Sequence, residues 1–301
     1  MRPEVRATQA AMEREGYIAE PAIATAVFLA RTLHKPLLVE GDAGVGKTEI
    51  AKVLARLLDT ELIRLQCYEG IDVNTALYEW NYQRQLLRLR IAGTDGREPA
   101  QTEQMIFSRD CLLERPLLRA ITRRDGPPVL LIDEIDRADD GFEAFLLEVL
   151  SDFQVTIPEL GAITARHVPH VVLTSNRTRE IGDALRRRCF YLYIEHPSLE
   201  KEVRIIRARV PEVMDGLARE IAAAMQAFRG RRLHKAPGVA ETLDWTRALL
   251  ALQHDHLDVD AVEQTLGCIL KDQDDVQDLT AHDVESLLAD ARSPGGADGS
   301  P

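Results

Sequence analysis

The sequence predicts an α/β protein, with a parallel sheet covered by helices on both faces and then a smaller all-helical domain. Three observations carry that prediction. Apolar runs at 37–40, 129–132 and 170–174 alternate with amphipathic stretches, as strands buried on both faces do. The first run passes through a glycine-rich turn directly into a helix-forming segment. After His196-Pro197 the strand patterns stop and helical periodicity dominates.

Residues 1–20 are charged and alanine-rich, and Ile23, Val27, Ala30 and Leu33 then recur at helical spacing over 22–33. Strand 37–40 is followed by Gly41-Asp42-Ala43-Gly44-Val45-Gly46-Lys47-Thr48 and a helix over 49–58. This fills G-x-x-x-x-G-K-[ST] in its strand–loop–helix setting. The glycines let backbone N–H groups turn toward the β- and γ-phosphates of a nucleotide, at the positive end of a new helix. Lys47 adds a mobile charge for the terminal phosphates, and the Thr48 hydroxyl is a ligand for Mg²⁺. A nucleoside triphosphate with Mg²⁺ is therefore expected to bind here.

A second strand is expected at 62–66. Residues 67–106 are less regular and hold Tyr68, Tyr78, Trp80 and Tyr82, and 92–96 reads as a tight turn. Strand 129–132 ends in Asp133-Glu134. A carboxylate at the end of a buried parallel strand can hold Mg²⁺, and the next one can orient the attacking water. On its own the pair reads equally as an acidic helix N-cap. Phe142, Phe145, Leu146, Val149 and Leu150 mark a helix. Segments 153–157 and 162–166 around Pro158-Glu159-Leu160-Gly161 suggest a hairpin. Strands 170–174 and 190–194 complete the sheet. Helices follow at 203–210, 213–228, 242–253, 259–270 and 283–288, the last opened by a Thr280-x-x-Asp283 capping box.

At 301 residues the chain has length for two domains, expected at 1–197 and 198–292, with a disordered tail at 293–301. A net charge of −12 and 5% aromatic content argue against a nucleic-acid-binding surface. Cys67, Cys111, Cys189 and Cys268 are widely spaced and read as reduced thiols. With a charged N-terminus and no apolar run long enough to span a bilayer, a soluble cytoplasmic protein is expected.

The stretches Leu38-Val39-Glu40-Gly41 through Thr48, Leu130-Leu131-Ile132-Asp133-Glu134-Ile135-Asp136-Arg137-Ala138 and Thr174-Ser175-Asn176-Arg177 resemble those of AAA+ ATPases of the MoxR class. Within that class the chain is most similar to the CoxD-type accessory ATPases of molybdenum-containing carbon monoxide dehydrogenases. The resemblance covers about residues 15–250. It implies ATP hydrolysis by a P-loop AAA+ domain with a helical lid, assembled as a homo-oligomeric ring, a hexamer. It makes Asp133 with Thr48 the Mg²⁺ residues, Glu134 the catalytic base and Asn176 sensor 1. The arginine finger falls in Leu185-Arg186-Arg187-Arg188, where Arg188 aligns best and Arg187 second; the alternative is a basic helix surface. Segment 70–105 matches the helix-2 insert and 153–166 the pre-sensor-1 hairpin. Tyr78, Trp80 and Tyr82 then either contact a client or pack the insert on its own domain. No arginine stands at the expected sensor 2 place in 238–247, and Arg247 lies about a turn beyond it. Implied partners are a von Willebrand factor A domain protein and a client metalloenzyme whose maturation the cycle drives. A nucleic-acid motor or clamp loader, and a non-hydrolysing nucleotide-gated scaffold, are the alternatives.

Overall fold

The computed structural model describes residues 1–95, 98–279 and 281–292. Two N-terminal helices, α1 (Pro3–Arg14) and α2 (Pro21–Thr32), precede β1 (Leu37–Gly41), and the glycine-rich loop leads into α3 (Lys47–Leu57). α1 buries Val5, Thr8 and Met12, a stripe too sparse to mark a helix in the sequence. Next come β2 (Leu62–Gln66), α4 (Val73–Ala76), β3 (Tyr78–Trp80), α5 (Tyr82–Asp95), α6 (Pro99–Ile106), β4 (Leu112–Glu114) and α7 (Pro116–Thr122).

The central part of the chain supplies β5 (Val129–Asp133), α8 (Asp140–Asp152), the hairpin β6 (Gln154–Ile157) and β7 (Gly161–Thr164), β8 (His170–Ser175), α9 (Asp183–Arg186) and β9 (Phe190–Ile194). The remaining elements are helical: α10 (Leu199–Arg209), α11 (Asp215–Arg229), α12 (Val239–Ala251), α13 (Val259–Ile269), α14 (Gln273–Gln277) and α15 (Ala281–Arg292).

Five strands form one sheet in the order β2-β5-β8-β1-β9. β2 pairs with β5, β5 with β8 and β8 with β1, all in parallel. Every residue of β1 and β5 is buried, so both carry continuous apolar runs rather than alternation. The order places β1 and β5 on either side of β8, with their C-terminal ends together, where open α/β sheets bind ligands.

Three differences from expectation have local causes. The turn expected at 92–96 is the last part of α5 through Asp95; Gly93 is tolerated inside the helix, and Gly96 lies outside the described residues. Strand β5 extends one residue further, so Asp133 is a strand residue paired opposite Gln66. α14 falls in a polar stretch with no apolar stripe. Thr280 of the expected capping box and the 293–301 tail also lie outside the described residues.

The chain divides into two compact units. The first comprises Met1–Ala11, Ala19–Glu40 and Thr48–Tyr193, and its core packs Leu38, Ile63, Leu130, Ile132, Leu146 and Leu173 from sheet and helices. The second comprises Met12–Ile18, Gly41–Lys47 and Ile194–Pro301. Its core joins Ile206, Leu217, Ile221, Phe228, Trp245 and Val262. The Trp245 indole N–H donates to Thr265 Oγ1 at 2.7 Å, which satisfies the one polar group that burying this ring would strand.

Candidate functional site

The glycine-rich loop belongs to the second unit, and two of its glycines are sterically required. A Cβ on Gly41 (φ +155°) would stand 2.2 Å from the Ile194 carbonyl oxygen. Gly44 (φ +79°) touches Gly238 backbone to backbone, and Val239 N–H donates to Gly44 O at 2.9 Å. Gly238 is the N-cap of α12, and its own N–H is taken by Glu241 Oε2 at 2.9 Å. The outward carbonyl of the loop is therefore held by a helix N-terminus, where unpaired N–H groups are in supply. A Cβ on Gly238 would lie 2.6 Å from Gly44 Cα. Gly238→Ala is expected to lower stability by ~1–3 kcal/mol through overpacking against backbone, read as a drop in thermal midpoint.

The Lys47 ammonium is buried and donates to the carbonyls of Gly41 at 2.7 Å and Asp42 at 2.6 Å. His196 Nε2 sits 3.6 Å from Asp42 Oδ2, and neither of its buried ring nitrogens makes a hydrogen bond among the described residues. Burial, then the Arg229 guanidinium, push its pKa below the ordinary value, while Asp42 pulls the other way.

In the first unit, Thr48, the second residue of α3, donates its hydroxyl to Asp133 Oδ1 at 3.1 Å. The same oxygen accepts from Thr174 Oγ1 on β8 at 2.5 Å. Arg64, from edge strand β2, places Nε 3.0 Å and a terminal nitrogen 2.5 Å from Asp133 Oδ2. A buried carboxylate is thus satisfied on both oxygens. The Thr48 hydroxyl and Asp133 carboxylate are hard oxygen donors close enough to share one small cation, so the pair fits Mg²⁺. Glu134 stands in the left-handed region (φ 55°, ψ 50°), its N–H donating to Thr174 Oγ1 at 2.9 Å and its carboxylate 2.9 Å from Arg137 Nε.

Sequence reasoning passed over Asp136. It is 3% exposed, and its Oδ2 accepts from the backbone N–H of Asn176 (3.2 Å) and Thr178 (2.9 Å) and from Thr178 Oγ1 (2.6 Å). That carboxylate holds the turn carrying Asn176. Arg179, paired with the buried Glu143 of α8, fastens the next residues. Cys67 donates its N–H to the Asp133 carbonyl, and burial, with the nearby Asp133, Asp136 and Glu134 charges, pushes its thiol to about 12. It is an inert thiol at neutral pH.

The three arginines at 186–188 differ sharply. Arg186 pairs with buried Glu40 at 3.0 Å and lies over the Tyr191 ring, whose hydroxyl also donates to Glu40. Arg188 is exposed and donates to the Leu147 carbonyl at 3.1 Å. Arg187 is exposed, and among the described residues no ion pair engages it. Tyr78 and Trp80 pack edge-on and lean on the core, with Trp80 against Phe107, whereas Tyr82 is 65% exposed. Arg247 is exposed on α12 and paired with Asp244 at 3.1 Å.

A profile of the AAA domain family, dynein-related subfamily, matches residues 36–189. An uncharacterized Staphylococcus aureus protein, SAB1265c, is 27% identical over 172 residues, 54% of this chain and 57% of that protein. The chain thus spans little more than half the length of this curated relative. Among solved structures, the Thermotoga maritima RuvB Holliday junction branch migration motor is similar at 19% identity and TM-score 0.46, over 86% of this chain and 68% of that one. A single-substitution variant of the same motor gives 18% identity and TM-score 0.48, over 89% and 73%.

Proposed function

Because the chain belongs to the AAA domain family, dynein-related subfamily, we propose that it is an Mg²⁺-dependent ATPase whose hydrolytic cycle remodels a client protein. The observation that carries the reading is the buried Asp133 at the end of β5, bonded to the hydroxyl of Thr48, the residue that follows Lys47. Strand end and helix start converge on one carboxylate oxygen, as a metal–phosphate site requires.

In this reading the amides of 41–47 and the Lys47 ammonium take the phosphates. Thr48 and Asp133 would hold Mg²⁺, which when bound would offset the charge of the phosphates. Glu134 orients and deprotonates water, and Asn176, on the turn held by Asp136, aligns it against the γ-phosphate. The finger offered to a neighbouring copy is Arg188 or Arg187. Arg186 is already committed to Glu40. An exposed arginine completing another subunit's site implies a homo-oligomeric ring, a hexamer in the MoxR reading.

The finer assignment rests on the MoxR resemblance. A von Willebrand factor A domain protein is the proposed partner and a metalloenzyme of the carbon monoxide dehydrogenase kind the proposed client. Domains at 1–197 and 198–292 are part of the same proposal. Among the described residues no helix is long and apolar enough to cross a membrane.

Lys47→Ala tests the central claim. Losing a charge-assisted contact of ~1.5–3 kcal/mol should weaken ATP binding roughly ten- to a hundredfold. Equal ATP affinity in both proteins by calorimetry would remove the phosphate role of the loop. A nucleic-acid motor is the second reading, and the −12 charge weighs against it. Salt-dependent DNA binding with DNA-stimulated turnover would replace the client-remodelling proposal.

A further inference from the structure

Strand β2 alternates, and its outward residues Arg64 and Gln66 share one face. A solvent-facing arginine on an edge strand ordinarily stays in water. Arg64 instead turns onto Asp133, the residue assigned to Mg²⁺. The acid is 4% exposed in its side chain while the arginine keeps 55%. Two guanidinium nitrogens address the single oxygen Oδ2, and one of them also donates to Gln66 Oε1 at 2.5 Å. Gln66 in turn donates to the Cys67 carbonyl at 3.4 Å. The fork is therefore held from behind by its neighbour on the strand.

The two oxygens of Asp133 face different partners. Oδ1 accepts from Thr48 and Thr174, on the side where the metal ligand Thr48 stands. Oδ2 meets only Arg64 among the hydrogen bonds of the described residues. A cation on one oxygen withdraws charge from the other, and it repels a divalent ion a few ångströms away. Coulomb repulsion between a monovalent and a divalent cation at such a separation remains appreciable even in a water-like dielectric.

We propose that Arg64 is the resident counter-cation of the metal carboxylate. It neutralises Asp133 when no metal is bound and lowers the site's affinity for Mg²⁺, so that the metal enters with the nucleotide phosphates rather than alone. Arg64 is a positioning residue acting through Asp133. The inference rests on the ATPase reading, since it assigns a regulator to that site.

The test is a metal titration without turnover. Mn²⁺ binding is followed by electron paramagnetic resonance, with and without ADP, in the full chain and in Arg64→Ala, Arg64→Lys and Gln66→Ala. Arg64→Ala is expected to bind Mn²⁺ in the ADP complex roughly tenfold more tightly and to acquire measurable binding without nucleotide. Arg64→Lys should return most of the way to the parent, because the charge is kept. Gln66→Ala should shift in the same direction as Arg64→Ala by less. Thermal melts in chelator confirm that each variant is folded, and Arg64→Gln, which also removes the charge, carries the test if Arg64→Ala is not. Metal affinity unchanged or weakened in the charge-removing variant, Arg64→Ala or Arg64→Gln, overturns the proposal while leaving the ATPase reading intact. Absence of Mn²⁺–ADP binding by the parent chain overturns that reading and this inference with it.

Discussion

Glu134→Gln is expected to leave ATP bound and to bring turnover nearly to a halt. The glutamate follows Asp133 in a left-handed backbone conformation that costs a non-glycine residue ~1–2 kcal/mol. The fold holds it there by giving its N–H to Thr174, the same hydroxyl that supports Asp133. Past this strained turn the two carboxylates have different partners, Asp133 meeting Thr48, Thr174 and Arg64 and Glu134 meeting Arg137. Glutamine keeps the shape of the side chain but gives up the charge that pairs with Arg137 and cannot take a proton. Loss of a general base costs roughly 10²–10⁴ in rate. Phosphate release under saturating ATP should fall by that factor, with nucleotide affinity within about threefold of the parent. A drop of less than tenfold removes Glu134 as the base. Equal trace turnover in both proteins supports the non-hydrolysing scaffold instead. The ATP-trapped variant is also the form with which a client should co-purify.

Glu202→Ala should unfold the helical unit at markedly lower temperature. Glu202 is fully buried, and Arg229 answers it with two nitrogens at 2.6 and 2.7 Å. Thr242 and Gln226 complete its hydrogen bonds at 2.6 and 2.9 Å. This network joins α10, α11 and α12 in one polar knot inside an apolar core. Removing the acid strands a guanidinium that is only 7% exposed, at a cost of ~3–5 kcal/mol. Calorimetry should show the transition lowered by more than about 10 °C. Replacing Glu202 and Arg229 together with apolar residues should recover part of that loss, because the stranded charge is gone. If the single and double variants melt alike, the penalty comes from packing rather than from charge.

The strands and the strand-end acids were legible because burial on two faces writes long apolar runs, and Asp133 ends one. The parallel sheet therefore follows from 37–40, 129–132 and 170–174, and the helical domain from the periodicity after Pro197. The insert was opaque for the opposite reason. α5 turns Gln85 and Arg88 inward, to the carbonyls of Ile106 and Met105, and leaves Leu86, Leu87 and Ile91 exposed. Its apolar pattern marks the outside, so periodicity could not locate its packing. Asp136 and Arg64 were missed because their meaning lies in partners far along the chain. Asp136 binds the 176–178 turn, and Arg64 reaches an acid on another strand. The fourth position of Asp133-Glu134-Ile135-Asp136 was the one available hint. For sensor 2, the α12 entrance holds a glycine against the loop, and Arg247 is engaged by Asp244.

The meeting of Gly44 with Gly238 has an evolutionary consequence. Most tight contacts can be relieved by shrinking the partner: a larger residue on one side is balanced by a smaller one on the other. Here both sides are already at the minimum, and what a new methyl group would strike is main chain. No second change in the partner's side chain can restore the fit. The two positions are coupled without being able to compensate for each other, because a side chain at either one meets the backbone of the other.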